Sequence, residues 1–274
     1  MGIRKYKPTT PGRRFSSVND YAEITGKTSS KKLLTPLRKT GGRGTGGIIS
    51  VRHRGGGNRR KYRIVDFKRD KFDIPARVAE IQYDPNRTAF IALLNYFDGE
   101  KRYILAPHGM QVGQIVCSGE KVEPLVGNCM PLWNIPSGME IHNIQLRPEG
   151  SSTFVRAAGA AAKIMAKEGN YVHVLLPSRE IRRIHKTCLA TIGQVSNIDN
   201  SGVVIGKAGR MRHKGRRPSV RGTAQAPVDH PMGGGEGRRA GGRHPCSPTG
   251  KLAKAGKTRK PSAASNKYIV RRRK

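Results

Sequence analysis

The alternation of apolar and polar positions is clearest in residues 61–200, where short apolar segments are separated by turn-forming residues. The sequence Asp-Pro-Asn-Arg at positions 84–87 has the composition of a turn, and Asp98-Gly99 is typical of a tight hairpin. Several short strands with turns between them predict a small β-barrel. Its strands are predicted at residues 78–83, 88–97, 102–105 and 114–117.

A second group of short apolar segments follows and predicts a second small β unit. The alanine-rich residues 157–166 could form a helix on intrinsic propensity. Gly159 within this stretch, and the turn-forming residues after it, favour a strand instead. The strands of this unit are predicted at residues 140–146, 160–167, 171–176, 181–184 and 188–192.

The flanking segments, residues 1–60 and 201–274, lack an apolar period and are broken repeatedly by glycine and proline. Residues 48–51 could form a short strand, and the sequence around them is predicted as extended loop. Ordering such segments costs about 1–2 kcal/mol of backbone entropy per residue. Because they cannot add to a core, we expect a partner to offset that cost.

The charge distribution points to the nature of that partner. The net charge is +35, of which residues 1–60 carry +13, residues 61–200 carry +4 and residues 201–274 carry +18. A middle of ordinary charge between two strongly basic ends indicates binding of a polyanion. Nucleic acid is favoured, and a membrane surface is the weaker alternative.

Several other classes are not expected. No apolar run is long enough for a transmembrane helix, and the first residues lack the apolar core of an export signal. Residues 42–47 match a dinucleotide-binding pattern formally, without the strand and helix that this reading requires, so no cofactor is predicted. The cysteines, far apart and without a C-x-x-C pair, predict no zinc site. They are Cys117, Cys129, Cys188 and Cys246.

The segment from Arg221 to Pro245 combines arginines with a glycine triplet and one histidine, His230, that lies between Asp229 and Pro231. Glycine lets a backbone approach a partner closely, and arginine offers a fixed fork for phosphate. A histidine beside a carboxylate could act as a general base. No serine or cysteine nucleophile accompanies it, so a structural hydrogen bond or an RNA contact is favoured.

Several blocks of sequence stand out along the chain: Lys7-Pro-Thr-Thr-Pro-Gly-Arg-Arg14, Val228-Asp-His-Pro231 and Gly233-Gly-Gly-Glu-Gly-Arg238, with residues 63–69, 83–87, 102–107, 206–209, 221–224 and 267–272. These blocks resemble the bacterial-type large-subunit ribosomal proteins of the universal "L two" family, over nearly the whole length and in the same order. One departure is Met232, where the family usually has a second histidine, and it puts in doubt any role for a histidine pair.

The resemblance implies a mainly β fold, an oligonucleotide-binding-like barrel followed by an SH3-like barrel, with both basic tails extending into rRNA. It also implies roles in subunit assembly and association, tRNA binding and the peptidyl-transferase region, which the segment around His230 approaches in this family. The corresponding boundaries are a basic extension at 1–60, the first barrel at 61–125, the second barrel at 126–200 and a glycine- and arginine-rich extension at 201–274.

The sequence therefore predicts a non-enzymatic protein that binds large-subunit rRNA, contacts other ribosomal proteins and faces the small subunit and the tRNA region. Its expected place is the cytoplasmic ribosome, with an organellar ribosome left open. Two alternatives are a direct proton-transfer role of His230 in peptidyl transfer and a DNA-compacting basic protein. The predicted RNA contacts are Arg13, Arg14, Arg43, Arg52, His53, Arg54, Asn58, Arg59, Arg60, Lys68, Arg69, Lys207, Arg210, Arg212, Arg216, Arg217, Arg221, His230, Gly233, Gly234, Gly235, Arg238, Arg239, Arg243, Lys257, Arg259, Arg271 and Arg272.

Overall fold

A computed structural model describes residues 2–26, 28–237, 242–254 and 256–273 of the chain. The protein is mainly β, which confirms the predicted fold class, and its strands pair antiparallel. The strands are β1 (Ile3–Lys5), β2 (Ser17–Asn19), β3 (Leu34–Pro36), β4 (Lys61–Arg63), β5 (Ala76–Gln82), β6 (Ile91–Tyr96), β7 (Lys101–Leu105), β8 (Ile115–Val116), β9 (Cys129–Pro131), β10 (Glu140–His142), β11 (Ala162–Glu168), β12 (Tyr171–Leu175), β13 (Ile181–His185), β14 (Leu189–Ile192) and β15 (Ile269–Arg271). The helices are α1 (Pro11–Arg14) and α2 (Ala208–His213), and single 3₁₀ turns occur at Lys31–Leu33, Thr45–Gly47, Ile198–Gly202, Gly222–Ala224 and Ala264–Tyr268.

The first barrel contains a four-stranded sheet in the order β7-β6-β5-β8. The turn between β5 and β6 is the one predicted at residues 84–87. Buried Asp84 fixes it by accepting hydrogen bonds from the backbone N–H of Asn86 (2.9 Å) and from Nε of Arg87 (2.6 Å). A short polar side chain that bonds its own turn in this way favours the chain reversal.

Strand β6 is buried on both of its faces, which explains why its sequence is a nearly continuous apolar run. Ala92 and Leu94 pack in one apolar cluster, whereas Ile91 and Leu93 pack in another with Tyr103. Successive residues of a strand point to opposite faces, so the sheet separates two layers of side chains.

The second barrel is a seven-stranded sheet in the order β15-β13-β12-β11-β10-β14-β9. Its β11–β12 hairpin includes the end of the alanine-rich stretch and confirms a strand there instead of a helix. Within its core, the buried ring of His142 donates from Nδ1 to the carbonyl oxygen of Gly193 at 2.8 Å, and its Nε2 meets no partner in the described chain. Burial lowers the pKa of His142 to about 4.

The two barrels are joined by direct contacts. Ala89, Leu105 and Val195 form a small apolar cluster between the sheets. The backbone N–H of Cys129 also donates to the carbonyl oxygen of Cys117 at 3.0 Å, where the chain passes from one sheet to the next. The fold is that of an oligonucleotide-binding-like barrel followed by an SH3-like barrel.

The flanking segments form turns and short pairings that the sequence only partly predicts. The possible strand at residues 48–51 is absent: of these residues only Ile49 makes a bridge, to Arg43, and the apolar side chains stay exposed. The positive φ angles of Gly46 and Gly47 reverse the chain just before this stretch, so it has no long partner strand. Strand β15 instead returns to the second barrel, where it pairs with β13.

The chain divides into two compact units. The first, here called the barrel unit, comprises Met1–Arg38, Arg59–Ala208 and Lys267–Lys274. The second, here called the basic unit, comprises Lys39–Asn58 and Gly209–Asn266. The four consecutive segments predicted from the sequence remain a prediction, because each compact unit draws on separate parts of the chain.

Candidate nucleic-acid interface

The basic unit lacks the feature that normally orders a folded segment. None of its described apolar side chains is buried, and His230 is the one buried side chain among its described residues. Its 78 residues carry a net charge of +16. A segment with so much like charge and no apolar core gains little from folding alone, so we expect an anionic partner to stabilise it.

Close backbone contacts bring its two sections together. The N–H of Gly55 donates to the carbonyl oxygen of Gly215 and the N–H of Arg217 donates to that of His53, both at 3.0 Å. At Gly57, a Cβ atom would lie 2.8 Å from the backbone nitrogen of Gly215. This glycine therefore serves a contact between two protein backbones.

The side chain of Lys39 stabilises the backbone around Gly57. Its Nζ donates to the carbonyl oxygens of Gly57 at 2.7 Å and Asn58 at 2.6 Å. Lys39 is absent from the predicted contacts, because a lone lysine in a basic segment gives no signal of an internal role. Its ammonium group satisfies carbonyls that a glycine-rich turn leaves without strand partners.

A second local fold surrounds His230, whose side chain is only 6% exposed. Its Nδ1 accepts a hydrogen bond from the backbone N–H of Met232 at 3.0 Å. A Cβ atom on Gly222 would lie 2.4 Å from Cε1 of the ring, so the backbone of Gly222 covers the imidazole directly. The segment that lacks an apolar period thus packs its turns on one buried ring.

This geometry bears on the proton-transfer alternative. The imidazole of His230 is buried and its Nδ1 is already engaged, whereas the neighbouring Asp229 is exposed. A general base needs a nitrogen within reach of the substrate proton. The contacts of His230 favour a role in holding the segment, and they do not favour one in chemistry.

Most of the predicted contact residues are exposed cations. Arg212, Arg216 and Arg217 meet no carboxylate in the described chain, whereas Arg102 of the barrel unit lies 3.0 Å from the carboxylate of Asp66. Unpaired, solvated guanidinium groups are available to bind phosphate. The exposed members of the predicted set in the basic unit are Arg43, Arg52, His53, Arg54, Asn58, Arg212, Arg216, Arg217, Arg221, Gly235, Arg243, Lys257 and Arg259, while Arg210, Gly233 and Gly234 are half-buried.

Some of these exposed arginines also donate within the protein. Nη1 of Arg43 donates to the carbonyl oxygen of Gly47 at 2.7 Å, and Nη1 of Arg243 donates to that of Pro231 at 2.8 Å. Nε of Arg259 donates to Oδ1 of Asn266 at 2.6 Å. A guanidinium has five N–H donors, so each of these groups keeps donors for a phosphate.

The other predicted contacts that the structure describes lie in the barrel unit. In this unit, Arg60 is half-buried and donates to the carbonyl oxygen of Pro85 at 2.7 Å. Arg238 and Arg239 lie outside the residues that the structure describes. Exposed in the barrel unit are Arg13, Arg14, Arg59, Lys68, Lys207, Arg271 and Arg272.

Arg69 departs from the prediction, because its side chain is only 2% exposed. Its Nε donates to Oγ of Ser118 at 3.0 Å and its Nη2 donates to the carbonyl oxygen of Gly127 at 3.3 Å. The guanidinium therefore lies at the junction of the two barrels, and it is not retained as an RNA contact. Its sequence neighbour Lys68 has the exposed side chain.

Some exposed cations of the basic unit are absent from the predicted set. Lys214, Lys251, Lys254 and Lys260 are exposed in the basic unit and belong to the same basic runs as their predicted neighbours. They can be identified in the sequence only as members of a stretch of basic residues, since their spacing does not distinguish one lysine from the next. The interface is therefore better described by its charge than by a short list of residues.

No group of three or more His, Cys, Asp or Glu side chains is placed to hold a metal ion among residues 2–26, 28–237, 242–254 and 256–273. The four cysteines are free thiols. Across those same ranges, no helix has the length and apolar character to cross a membrane.

Two family models match the chain. Residues 30–118 match the model described as Ribosomal Proteins L2, RNA binding N-terminal domain. Residues 125–250 match the model described as Ribosomal Proteins L2, C-terminal domain. Together they cover most of the sequence, including strands β3 to β14 and the segment around His230. The chain belongs to this family, and it is a ribosomal, RNA-binding protein of the large subunit.

Proposed function

We propose that this protein is a non-enzymatic, architectural component that binds large-subunit rRNA mainly through its basic unit. The observation that carries the proposal is that the basic unit has a net charge of +16 and no buried apolar side chain among its described residues. Such a unit is ordered by neutralisation of its charge, and folded rRNA presents phosphates at the required density.

The energetics follow from counterion release. Each arginine or lysine that meets a phosphate displaces condensed cations, and this gain offsets the entropy of ordering the glycine-rich backbone. Contacts to phosphate and sugar position a protein without reading the base sequence. The proposed contacts are the exposed members of the predicted set, with the half-buried Arg60, Arg210, Gly233 and Gly234 as secondary contacts and Arg69 left out.

The barrel unit supplies a rigid scaffold for binding to rRNA. Its two sheets are joined by the cluster of Ala89, Leu105 and Val195 and by the buried guanidinium of Arg69. A core of this kind keeps the exposed Arg13, Arg14 and Arg271 at fixed separations within the unit. Fixed separations favour one arrangement of rRNA helices over others, which supports a role in subunit assembly.

We further propose that the segment around His230 lies near the peptidyl-transferase region and the bound tRNA, and that the protein contributes to association with the small subunit. The buried ring of His230 and the covering Gly222 support a structural role for this segment. Neighbouring ribosomal proteins and the small-subunit surface are the further partners, in the cytoplasmic ribosome.

The test is binding of the full chain to transcribed large-subunit rRNA over a series of salt concentrations. With on the order of ten phosphate contacts, the logarithm of the binding constant should fall with the logarithm of salt with a slope of about −7 to −9. A flat salt response would contradict the proposal. A preference for duplex DNA over rRNA of equal length would favour the DNA-compacting alternative instead.

A separate measurement addresses chemistry at His230. His230→Gln in assembled ribosomes should leave the rate of the peptidyl-transfer step within about tenfold of wild type, since the ring acts through packing. A general acid–base contributes about 10²- to 10⁴-fold, so a loss in that range in correctly assembled ribosomes would favour direct participation.

A further inference from the structure

The side chain of Phe15 is 76% exposed, more than any other described Phe, Tyr or Trp. It follows α1 directly and caps its end. Burying a phenylalanine side chain gains about 1.5–3 kcal/mol, so a free ring on a folded surface forgoes that stabilisation. An exposed aromatic of this kind indicates a contact that the isolated chain does not make.

The backbone that carries the ring is fixed. The next two residues, Ser16 and Ser17, are buried. The N–H of Ser17 donates to the carbonyl oxygen of Val204 and Oγ of Ser17 accepts from the N–H of Val204, both at 2.9 Å. The N–H of Tyr6 donates to the carbonyl oxygen of Ser16 at 3.1 Å. Phe15 is therefore held in place before any partner binds, which lowers the entropy lost on binding.

The surroundings of the ring favour an anionic polymer over an apolar protein surface. Residues 3–19 contain no acidic side chain. The guanidinium of Arg13 lies over the ring of Tyr6, 4.9 Å from its centroid, while Arg14 is exposed beside Phe15. The exposed cations of this stretch are Arg4, Lys5, Lys7, Arg13 and Arg14.

We propose that Phe15 is a nucleobase-stacking site, whose ring stacks on one unpaired base of large-subunit rRNA while Arg14 and Lys7 meet the flanking phosphates. Unpaired bases splayed out of folded RNA are commonly held by an aromatic face in this way. The scarcity of aromatic residues argues against a continuous platform for single strands, but it does not conflict with one stacked base. This site rests on the proposed function, because it requires that the protein binds rRNA.

The experiment measures binding of full-length variants to protein-free, transcribed large-subunit rRNA at several salt concentrations. Phe15→Ala should weaken binding about tenfold at every concentration and leave the salt slope unchanged, since stacking involves no counterion. Phe15→Tyr and Phe15→Trp should retain wild-type affinity, and Phe15→Leu should not. Phe97→Ala is the matched control: Phe97 is 66% exposed but next to the carboxylate of Asp98, and its loss should leave binding unchanged.

A spectroscopic test identifies the contact directly. The chain has a single tryptophan, Trp133, so Phe15→Trp in a Trp133→Phe background gives one reporter. Its fluorescence should be quenched when rRNA binds. Wild-type affinity of Phe15→Ala on protein-free rRNA would overturn the proposal and point to an apolar protein contact. Full rescue by Phe15→Leu would also overturn it, because an aromatic face would then not be needed for binding to rRNA. A flat salt response of the wild-type chain would instead overturn the proposed function and this site with it.

Discussion

The backbone of Gly222 lies against the imidazole of His230, so closely that a Cβ atom would come within 2.4 Å of Cε1 and 2.5 Å of Nε2. In a unit without a buried apolar side chain in its described part, this contact replaces a core. Gly222 and His230 are eight positions apart, and the turns between them close on the ring. The glycine is required for its small size, because its neighbour is a rigid aromatic group.

Gly222→Ala should displace the ring and weaken binding to large-subunit rRNA. Overpacking of this kind costs about 1–3 kcal/mol, which corresponds to roughly 5- to 150-fold in affinity. Gly209→Ala is the matched control, because a Cβ atom at Gly209 meets nothing within 4 Å and its position is helical. Equal affinities of the two variants, measured by filter binding, would show that the packing on His230 does not matter for recognition.

Lys39→Met should weaken rRNA binding more than removal of one exposed charge explains. Both variants Lys39→Met and Lys257→Met lose one cation of the basic unit, but only Lys39 donates to the carbonyl oxygens of Gly57 and Asn58. Loss of hydrogen bonds from a charged donor adds about 1.5–3 kcal/mol. The salt slope should fall by about one for Lys257→Met and stay unchanged for Lys39→Met, while the affinity of Lys39→Met should be lower by at least about tenfold. If the two affinities coincide, the internal role of Lys39 is wrong.

Arg69→Met should lower the stability of the barrel unit and leave the salt dependence of rRNA binding unchanged. The substitution leaves Oγ of Ser118 and the carbonyl oxygen of Gly127 without their donors, at a cost of about 2–4 kcal/mol in the free energy of unfolding. Thermal unfolding followed by circular dichroism measures it. The adjacent Lys68→Met should show the opposite behaviour, with unchanged stability and a slope reduced by about one.

The stability of the second barrel should fall as the pH drops from about 6.5 to about 4, because of His142. Burial lowers its pKa in the folded state, so between these values the unfolded chain binds a proton that the folded chain does not. The loss amounts to about 3 kcal/mol at the lower end of the range. His142→Asn keeps a donor for the carbonyl oxygen of Gly193 and should flatten this part of the pH profile.

His185→Asn is the control for that titration, since His185 is a half-buried histidine of the same sheet. Its replacement should leave the decline between about pH 6.5 and 4 in place. A wild-type profile without any decline in this range would show that the protonated His142 is tolerated in the core.

The elements predicted correctly are those that local chemistry determines. The side chain of Asp84 accepts a hydrogen bond from the backbone of the turn that it begins, and Asp98-Gly99 lies in the turn between β6 and β7. In both cases the interacting groups lie within a few positions along the chain, so a short stretch of sequence is enough to predict the turn. Strand β11 was predicted for a similar reason, since the turn that follows it outweighs the helical propensity of alanine.

The features that could not be predicted depend on contacts between distant residues. Gly57 meets Gly215, and Arg69 meets Ser118 and Gly127, without any pattern that marks the pair in the sequence. Arg69 also follows Lys68 in a basic stretch, so the two side chains cannot be told apart by charge. Only the packing of the two barrels decides that one cation is buried and the other is exposed.

The pairing of β15 with β13 has a consequence for the order of synthesis. Residues 181–185 leave the exit tunnel long before residues 269–271, so this edge of the seven-stranded sheet stays open while the whole basic unit is being made. An open strand edge is a template for pairing with other chains. A product truncated before residue 269 would keep that edge exposed, and a chain that reaches β15 covers the edge itself.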